Sequence, residues 1–258
     1  DLMQRIDEFV NNRGVFRKES HEAWKWENVS IEYKEEFKKF IKYGKKWPDE
    51  IMQVNGVRVC FHKNFLIGKG SQSGGVYVGL GTDGTEKAVK VLLKAIDGEF
   101  VEKEKELLRK CETKESTCVL KYWFLDDKSH SIFAFLVMDL CEETLERFVG
   151  DNSRDELVER APDIIRQILK GLANLHSAPD RILHRNLTPL NILRNVHYKW
   201  FLADFGIGQM SPDHDYTSTI IDWGTNRWKA VESLYQSGTS GDHGKEQVRY
   251  KAESDIQV

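Results

Sequence analysis

A short glycine-rich segment is the first part of the chain whose residue types could do chemistry. It begins with Gly68 and Gly70 and runs to Val76 as GKGSQSGGV. Glycine has no Cβ, so backbone N–H groups in such a segment can approach phosphate oxygens closely. A glycine-rich turn between two strands is more often structural, and Ser73 occupies the third glycine position of the usual Gly-x-Gly-x-x-Gly spacing. By itself the segment is therefore a weak indication of a phosphate site.

A single lysine, Lys90, ends the run AVK at residues 88–90, in an otherwise apolar stretch. A lone lysine in a strand usually points to solvent. The following predicted helix, however, carries Glu104, which could reach back in an ion pair that aims the ammonium at α- and β-phosphates. Glu102 and Glu106 compete for this role, and Glu104 is preferred because it leaves two neighbouring leucines facing the core.

The composition excludes several classes of protein. The 258 residues are 40% hydrophobic and 31% charged, which indicates a globular chain and not a disordered one. The 38 basic and 41 acidic residues give a net charge of -3, unlike a general nucleic-acid or membrane-surface binder. No run approaches the roughly 20 apolar residues of a membrane helix, and the start lacks a signal-peptide pattern. The four cysteines lack metal spacing. We expect a cytoplasmic protein with reduced thiols, no membrane segment and no evident nucleic-acid binding.

The spacing of apolar residues separates a strand-rich part of the chain from a helical part. Short Val-rich runs divided by glycine-rich turns predict antiparallel strands with one intervening helix. The predicted strands are 57–66, 75–80, 86–93, 119–125 and 131–138, and the helix is 99–111. A broad apolar stripe from Ile164 to Leu175 predicts a later helix. Strands first and helices later indicate an α+β fold without a parallel doubly wound sheet.

The first 56 residues differ in character from the rest. Apolar residues at helical spacing within 2–10 and 33–41 predict two amphipathic helices. Trp24, Trp26 and Trp47 could pack these helices onto a neighbouring domain, but a local core with a solvated charged face is the preferred interpretation. We interpret residues 1–56 as a helical N-terminal segment of unknown role and residues 57–258 as the main domain.

Two later segments carry an ordered set of polar residues, HRNLTPLNIL at 184–193 and ADFG at 203–206. Their order and separation match the protein-kinase set His-Arg-Asp-x-x-x-x-Asn then Asp-Phe-Gly, with one substitution. From residue 57 onward the chain therefore resembles the eukaryotic protein-kinase superfamily. Strings at 74–77 and 138–145 resemble the group that contains the unfolded-protein-response kinase/endoribonuclease and ribonuclease L. Pro189 and Thr225 resemble Ser/Thr kinases more than Tyr kinases.

The resemblance implies a two-lobed fold. A small antiparallel-sheet N-lobe would occupy residues 57–138, and a mainly helical C-lobe would begin at residue 142. The sequence ends at Val258, near the start of the helix that would contain Asp255, so we expect a C-lobe truncated at the end of the chain. In the suspected group an endoribonuclease domain follows the kinase, and no residue of this chain is assigned to it.

The resemblance also implies a site for ATP or ADP with Mg²⁺. Lys90 would bind phosphates, and Asp204 and Asn191 would hold Mg²⁺ through oxygen ligands. The other implied contacts surround the nucleotide. They are Gly68 and Gly70 at the phosphates, Glu104 paired with Lys90, Val76, Ala88 and Leu193 around adenine, the backbone of Asp139 and Cys141 at its edge, and Met138 at the inner pocket.

The one substitution falls at the position with most consequence for catalysis. Where the family places the aspartate that accepts the proton of the substrate hydroxyl, this chain has Asn186. An amide can orient a hydroxyl but cannot take up its proton near neutral pH. General-base assistance is worth about 10² to 10⁴ in rate. The transition state of phosphoryl transfer is loose and dominated by positioning, so weak residual transfer is conceivable.

Three functional hypotheses follow. The first is an ATP-binding, Ser/Thr kinase-like domain with impaired catalysis, a pseudokinase, that acts as a nucleotide-dependent switch or dimerisation module in a stress or innate-defence signalling protein. The second is an active Ser/Thr kinase of reduced rate that autophosphorylates. The third is an interaction scaffold that does not bind nucleotide and whose N-terminal helices recruit a protein partner.

Overall fold

The computed structural model describes residues 24–68, 74–94, 118–177, 182–204 and Asp255. The described residues divide into two compact units. The first unit contains residues 24–94, with their gap, and Lys121–Glu142; the second contains residues 118–120 and the described residues from Glu143 onward. The helix predicted at 99–111, with Gly70 and Glu104, lies outside the described residues.

A seven-stranded antiparallel sheet forms most of the first unit. Its strands are β1 (Met52–Val54), β2 (Val57–Val59), β3 (Leu66–Gly68), β4 (Val76–Gly81), β5 (Glu86–Leu93), β6 (Tyr122–Asp126) and β7 (Phe133–Asp139). The order is β1-β2-β4-β5-β7-β6, and β3 also pairs with β4. The antiparallel meander predicted from the Val-rich runs is therefore confirmed, with β5 at its predicted bounds.

Two details of the sheet differ from the prediction. The single strand predicted at 57–66 is divided into β2 and β3 by a 3-10 turn at Lys63–Phe65, where Nδ1 of His62 accepts a hydrogen bond from the backbone of Asn64. The structure also adds β1 before residue 57. Asn55 and Gly56 connect β1 to β2 with φ angles of 45° and 84°, the left-handed pair of a tight hairpin turn.

One helix, α1 (Lys34–Lys46), packs into the core of the first unit, where the spacing at 33–41 predicts a helix. Acidic residues in its first turn and lysines in its last turn complement the helix dipole. Phe37 and Phe40 are fully buried on its inner face. The ring of Phe40 contacts Trp24 and Phe65 edge to face at 5.5 and 5.3 Å, so the described part of the N-terminal segment shares the core of the sheet.

The second unit combines two helices with a small sheet in its described residues. These elements are β8 (Glu143–Thr144), α2 (Leu145–Asp151), α3 (Arg154–His176), β9 (Ile192–Arg194) and β10 (Trp200–Leu202). The strands form an antiparallel sheet in the order β10-β9-β8. Ser153 and Glu156 form a capping box that fixes the start of α3. The later helix predicted from 164–175 is thereby confirmed, as is the α+β class. No helix in the described part of the chain has the length and apolar character needed to cross a membrane.

A glycine allows α3 to lie close to neighbouring backbone. A Cβ at Gly171 would lie 2.6 Å from the carbonyl oxygen of Cys118 and 2.9 Å from the side chain of Leu202. Because backbone cannot move away as a flexible side chain can, any larger residue must push α3 outward.

We expect Gly171→Ala to lower the free energy of unfolding by about 1 to 3 kcal/mol, the usual cost of overpacking a core. Urea unfolding measures the change. Gly150→Ala in α2 is the matched control, because its added methyl meets no described atom within 4 Å and alanine favours a helix. Equal effects of the two variants would contradict the close approach at Gly171.

Candidate functional site

The sheet of the first unit brings five of the implied nucleotide contacts onto one face. Val76 lies directly opposite Lys90, and Ala88 lies directly opposite Met138. Residues two apart in a strand share a face, and so do directly opposed residues of paired strands. Gly68 pairs with Val76 and extends this row to β3. The register thus places Lys90 on the same face of the sheet as Ala88 and Met138.

The described end of the glycine-rich segment is fixed beside Lys90. The N–H of Gly74 donates to the carbonyl of Val91 at 2.9 Å, and the N–H of Val91 donates to Gly75 at 3.0 Å. Gly75 has a φ of 102°, and a Cβ there would lie 2.5 Å from the side chain of Leu66. Only glycine fits this position, so the segment re-enters the sheet at a defined point next to Lys90.

The Asp139 carboxylate ties down the end of β7. Its Oδ1 accepts hydrogen bonds from Nζ of Lys87 at 3.1 Å and from Nε1 of Trp123 at 2.7 Å. The backbone N–H of Asp139 donates to the carbonyl of Lys121 at 3.1 Å. The ammonium groups of Lys87 and Lys121 lie 4.0 and 3.8 Å from the indole centroid of Trp123. The backbone that would meet an adenine edge is therefore held from its outer side.

Cys141 is half-buried, and its surroundings disfavour the thiolate. Burial, reinforced by the negative charges of Asp139 and Glu142, raises the pKa of its thiol to about 12. The thiolate is the reactive form, so the protonated thiol at neutral pH is inert.

The β9–β10 hairpin brings Asn191 and Asp204 to one end of the second unit. Asn191 immediately precedes β9, Asp204 follows β10 by two residues, and Ile192 pairs with Leu202. The N–H of Ala203 donates to the carbonyl of Asn191 at 2.8 Å and closes this end. Leu193 lies one residue further along β9.

The same end of the hairpin has a donor set that fits Mg²⁺. Nδ2 of Asn191 donates to the backbone carbonyl of Asn186 at 2.8 Å, which leaves Oδ1 of Asn191 as the ligand atom. An amide oxygen and the carboxylate of Asp204 are the hard ligands that Mg²⁺ prefers. The described residues contain no group of three or more His, Cys, Asp or Glu side chains that could hold a metal. Water and substrate phosphates would therefore complete the coordination, as is usual for Mg²⁺.

A buried carboxylate, Asp255, holds the loop that carries Asn186. Its Oδ2 accepts from the backbone N–H of His184 at 2.7 Å and contacts Nε2 of His176 at 2.8 Å, while Oδ1 accepts from the N–H of Arg185 at 2.8 Å. Burial alone would raise the pKa of Asp255, but these hydrogen bonds outweigh it and hold the pKa below its ordinary value. This role of Asp255 was not predictable from the sequence, because no local pattern marks a residue that acts about 70 positions away.

Left-handed backbone occurs within the loop at Arg185 and after β10 at Asp204. Arg185 and Asp204 each have a φ of 59°. Such a conformation costs a residue other than glycine about 1 to 3 kcal/mol and persists only where surrounding contacts impose it. The hydrogen bond to Asp255 is one such contact for Arg185.

His184 is fully buried and remains neutral. Burial lowers its pKa, and the nearby charges of Asp255 and Asp204 oppose this only in part. Its Nδ1 accepts a hydrogen bond from the backbone N–H of Asn186 at 3.3 Å, so the ring orients the residue at the position of the family's general base.

Acidification should destabilise the fold through His184. In the unfolded chain its pKa returns to about 6.5, so the unfolded state binds more protons than the folded state below that pH, and the free energy of unfolding falls. The depressed pKa of Asp255 acts in the same direction, but only below about pH 4.

We expect His184→Phe to flatten the dependence of unfolding free energy on pH between about 6.5 and 5, because phenylalanine does not titrate. Urea unfolding at several pH values measures this slope. His197→Phe at an exposed position should keep the slope of the wild type. A wild-type slope in His184→Phe would show that another group titrates.

The implied site residues divide between the two units. Gly68, Val76, Ala88, Lys90, Met138, Asp139 and Cys141 belong to the first unit, and Asn186, Asn191, Leu193 and Asp204 belong to the second. Each set is gathered within its own unit by strand register or by the β9–β10 hairpin.

Comparison with known proteins identifies a family model and several relatives. The model described as "Protein kinase domain" matches residues 61–255. The serine/threonine-protein kinase/endoribonuclease ireA of Aspergillus fumigatus is 29% identical over 203 residues, which are 72% of this chain and 16% of that protein. The serine/threonine-protein kinase/endoribonuclease IRE2 of Homo sapiens is 30% identical over 185 residues, 69% of this chain and 19% of that protein.

A third relative, the "Probable serine/threonine-protein kinase irlA" of Dictyostelium discoideum, is 25% identical over 191 residues, which cover 65% of this chain and 13% of that protein. The chain thus spans less than a fifth of the length of each of these relatives. The family match and the two units agree with the kinase-like α+β fold that the motifs imply.

Proposed function

The chain belongs to the protein kinase domain family, and on that premise we propose that it binds ATP or ADP with Mg²⁺ but transfers the phosphoryl group poorly. The observation that carries the proposal is Asn186, which stands where the family has its general base, while the chain retains Lys90, Asn191 and Asp204. The binding groups are those of a kinase, and the proton acceptor is missing.

Each residue has a distinct part in this proposal. Lys90 binds the α- and β-phosphates, and Asp204 with Oδ1 of Asn191 holds Mg²⁺. The metal neutralises charge on the β- and γ-phosphate oxygens when it is bound. Asn186 orients an acceptor hydroxyl by hydrogen bonding but cannot remove its proton, which costs about 10² to 10⁴ in rate. The buried Asp255 and His184 keep the loop in place for this contact.

A signalling role suits a domain that binds nucleotide without efficient turnover. We propose that nucleotide acts as a switch or favours self-association in a stress or innate-defence protein of the unfolded-protein-response type. Two relatives named as kinase/endoribonucleases support this class. The three described cysteines are free thiols, which supports a cytoplasmic setting.

The second candidate is an active Ser/Thr kinase with a reduced rate. The names of the relatives favour it, since two are named serine/threonine-protein kinase/endoribonucleases and the third a probable serine/threonine-protein kinase. The loose transition state of phosphoryl transfer also leaves positioning and metal electrostatics in place without the general base.

Nucleotide binding is tested with Lys90→Ala. We expect ADP with Mg²⁺ to raise the melting temperature of the wild type, and the substitution to reduce ADP affinity at least ten-fold because the phosphates lose their cation. Calorimetric titration measures the affinity. Lys42→Ala, which removes the same charge from the exposed face of α1, is the control and should bind as the wild type does. If the wild type does not bind ADP, the proposal is wrong and the third hypothesis, an interaction scaffold that does not bind nucleotide, is favoured.

Catalytic impairment is tested with Asn186→Asp. Restoring a carboxylate should raise incorporation of radiolabelled phosphate about 10²-fold or more, because the general base returns. Asp204→Ala should abolish incorporation and serves as the negative control. If the wild type already incorporates label at the rate of Asn186→Asp, the domain is an active kinase and the impairment is disproved.

A further inference from the structure

A segment before α1, residues 24–33, packs against a half-buried carboxylate of the sheet, Glu86; we call this segment the strap. Glu86 at the start of β5 accepts hydrogen bonds from Nε1 of Trp26 at 2.5 Å and from the backbone N–H of Ser30 at 2.9 and 3.2 Å to its two oxygens. The N–H of Glu27 also donates to the carbonyl of Gly84 at 3.2 Å. The first half of the strap is therefore fastened to β5 and to the turn before it.

The second half of the strap is fastened to a different carboxylate, Glu142. Its Oε2 accepts from the backbone N–H of Ile31 at 3.2 Å and of Glu32 at 2.6 Å. Glu142 is only 8% exposed. Ser30 is buried as well, and its hydroxyl accepts from the N–H of Tyr33 at 3.0 Å, which fixes the turn between the two carboxylates.

The two carboxylates depend on the strap for their hydrogen bonds. Burial raises the pKa of Glu86, the donors of the strap lower it in part, and the charge of Glu142 raises it further. A buried carboxylate that loses its donors bears the full cost of desolvation. Detachment of the strap from Glu142 would therefore drive that side chain toward water and take its backbone with it.

Glu142 lies where the chain leaves the first unit. It is the last residue of the first unit before the chain enters the second at Glu143. It also directly follows Cys141, whose backbone is an implied adenine contact. The other end of this short segment, Asp139, is anchored by Lys87 and Trp123. Residues 139–142 are thus held at one end by β5 and β6 and at the other end by the strap.

We propose that Glu142 is a positioning residue for nucleotide binding, through which the strap holds the backbone of residues 139–142 in the conformation that receives the adenine edge. The inference rests on the proposed nucleotide site and adds to it a regulatory input from the N-terminal segment. Glu142 does not touch the nucleotide; it acts through the adjoining Cys141. Any event that lifts the strap would weaken nucleotide binding.

Coupling of this kind is reciprocal. If the strap raises nucleotide affinity, nucleotide must stabilise the strap by the same free energy. The N–H groups of Ile31 and Glu32 should therefore exchange with deuterium more slowly when ADP and Mg²⁺ are present. A strap that only covers the sheet predicts no such change.

The experiment compares Glu142→Ala, Glu142→Gln and Tyr43→Phe with the wild type. Calorimetry gives ADP affinity in the presence of Mg²⁺, and hydrogen exchange with mass spectrometry follows residues 24–33. Glu142→Ala should lose affinity at least five-fold, the lower range of measured couplings, and should exchange faster in the strap. Glu142→Gln should recover most of the affinity, because both donors reach a single oxygen and an amide supplies one. Tyr43→Phe removes a hydrogen bond to Glu50 elsewhere in the first unit and should bind as the wild type does.

The outcomes separate this inference from the proposed function. Normal ADP affinity in Glu142→Ala, together with fast exchange in the strap, would overturn the positioning role and leave nucleotide binding intact. Absence of ADP binding by the wild type would overturn both. If Glu142→Ala does not fold, hydrogen exchange of the wild type provides the test. An unchanged exchange rate at residues 31 and 32 on addition of ADP and Mg²⁺ would also overturn the coupling.

Discussion

The carboxylate of Asp255 is the constraint on which the chemistry of the second unit depends. A fully buried charge is stable only with near-complete hydrogen bonding, and here the partners are His176 and the backbone N–H groups of His184 and Arg185. Those two N–H groups belong to the loop that positions Asn186 and Asn191. Without the carboxylate, each would be a buried unsatisfied donor at a cost of about 1 to 3 kcal/mol. The same hydrogen bonds therefore fix the conformation of the loop and stabilise the buried charge of Asp255.

The first unit also uses carboxylates to hold backbone that lies outside the sheet. Glu86 and Glu142 accept backbone N–H groups from a segment more than 50 residues away, as Asp255 does in the second unit. In each unit a carboxylate accepts hydrogen bonds from backbone N–H groups that lie outside the described strands. Residues 24–56, the described part of the N-terminal segment, thereby pack with the sheet, and Trp24 and Trp26 contact α1.

Many of the described helices and strands could be predicted from the sequence. The Val-rich run between turns predicts β5 at its observed bounds, and the apolar stripe predicts α3. The motifs predict the site residues because the chemistry demands particular types at particular separations. The contacts that hold those residues were not predictable: Asp255, Glu142 and Asp139 act on partners that only the folded chain brings near. The β1–β2 hairpin was missed although its Asn-Gly turn was a readable signal.

The raised pKa of the half-buried Cys141 has a consequence for chemical probes. A cysteine beside an implied adenine site invites acrylamides or other electrophiles that form a covalent bond with sulfur. Reaction requires the thiolate, and a pKa of about 12 leaves almost none of it at neutral pH. Selective inhibitors of this domain would accordingly gain more from reversible shape complementarity against Met138 and Ala88 than from a reactive warhead.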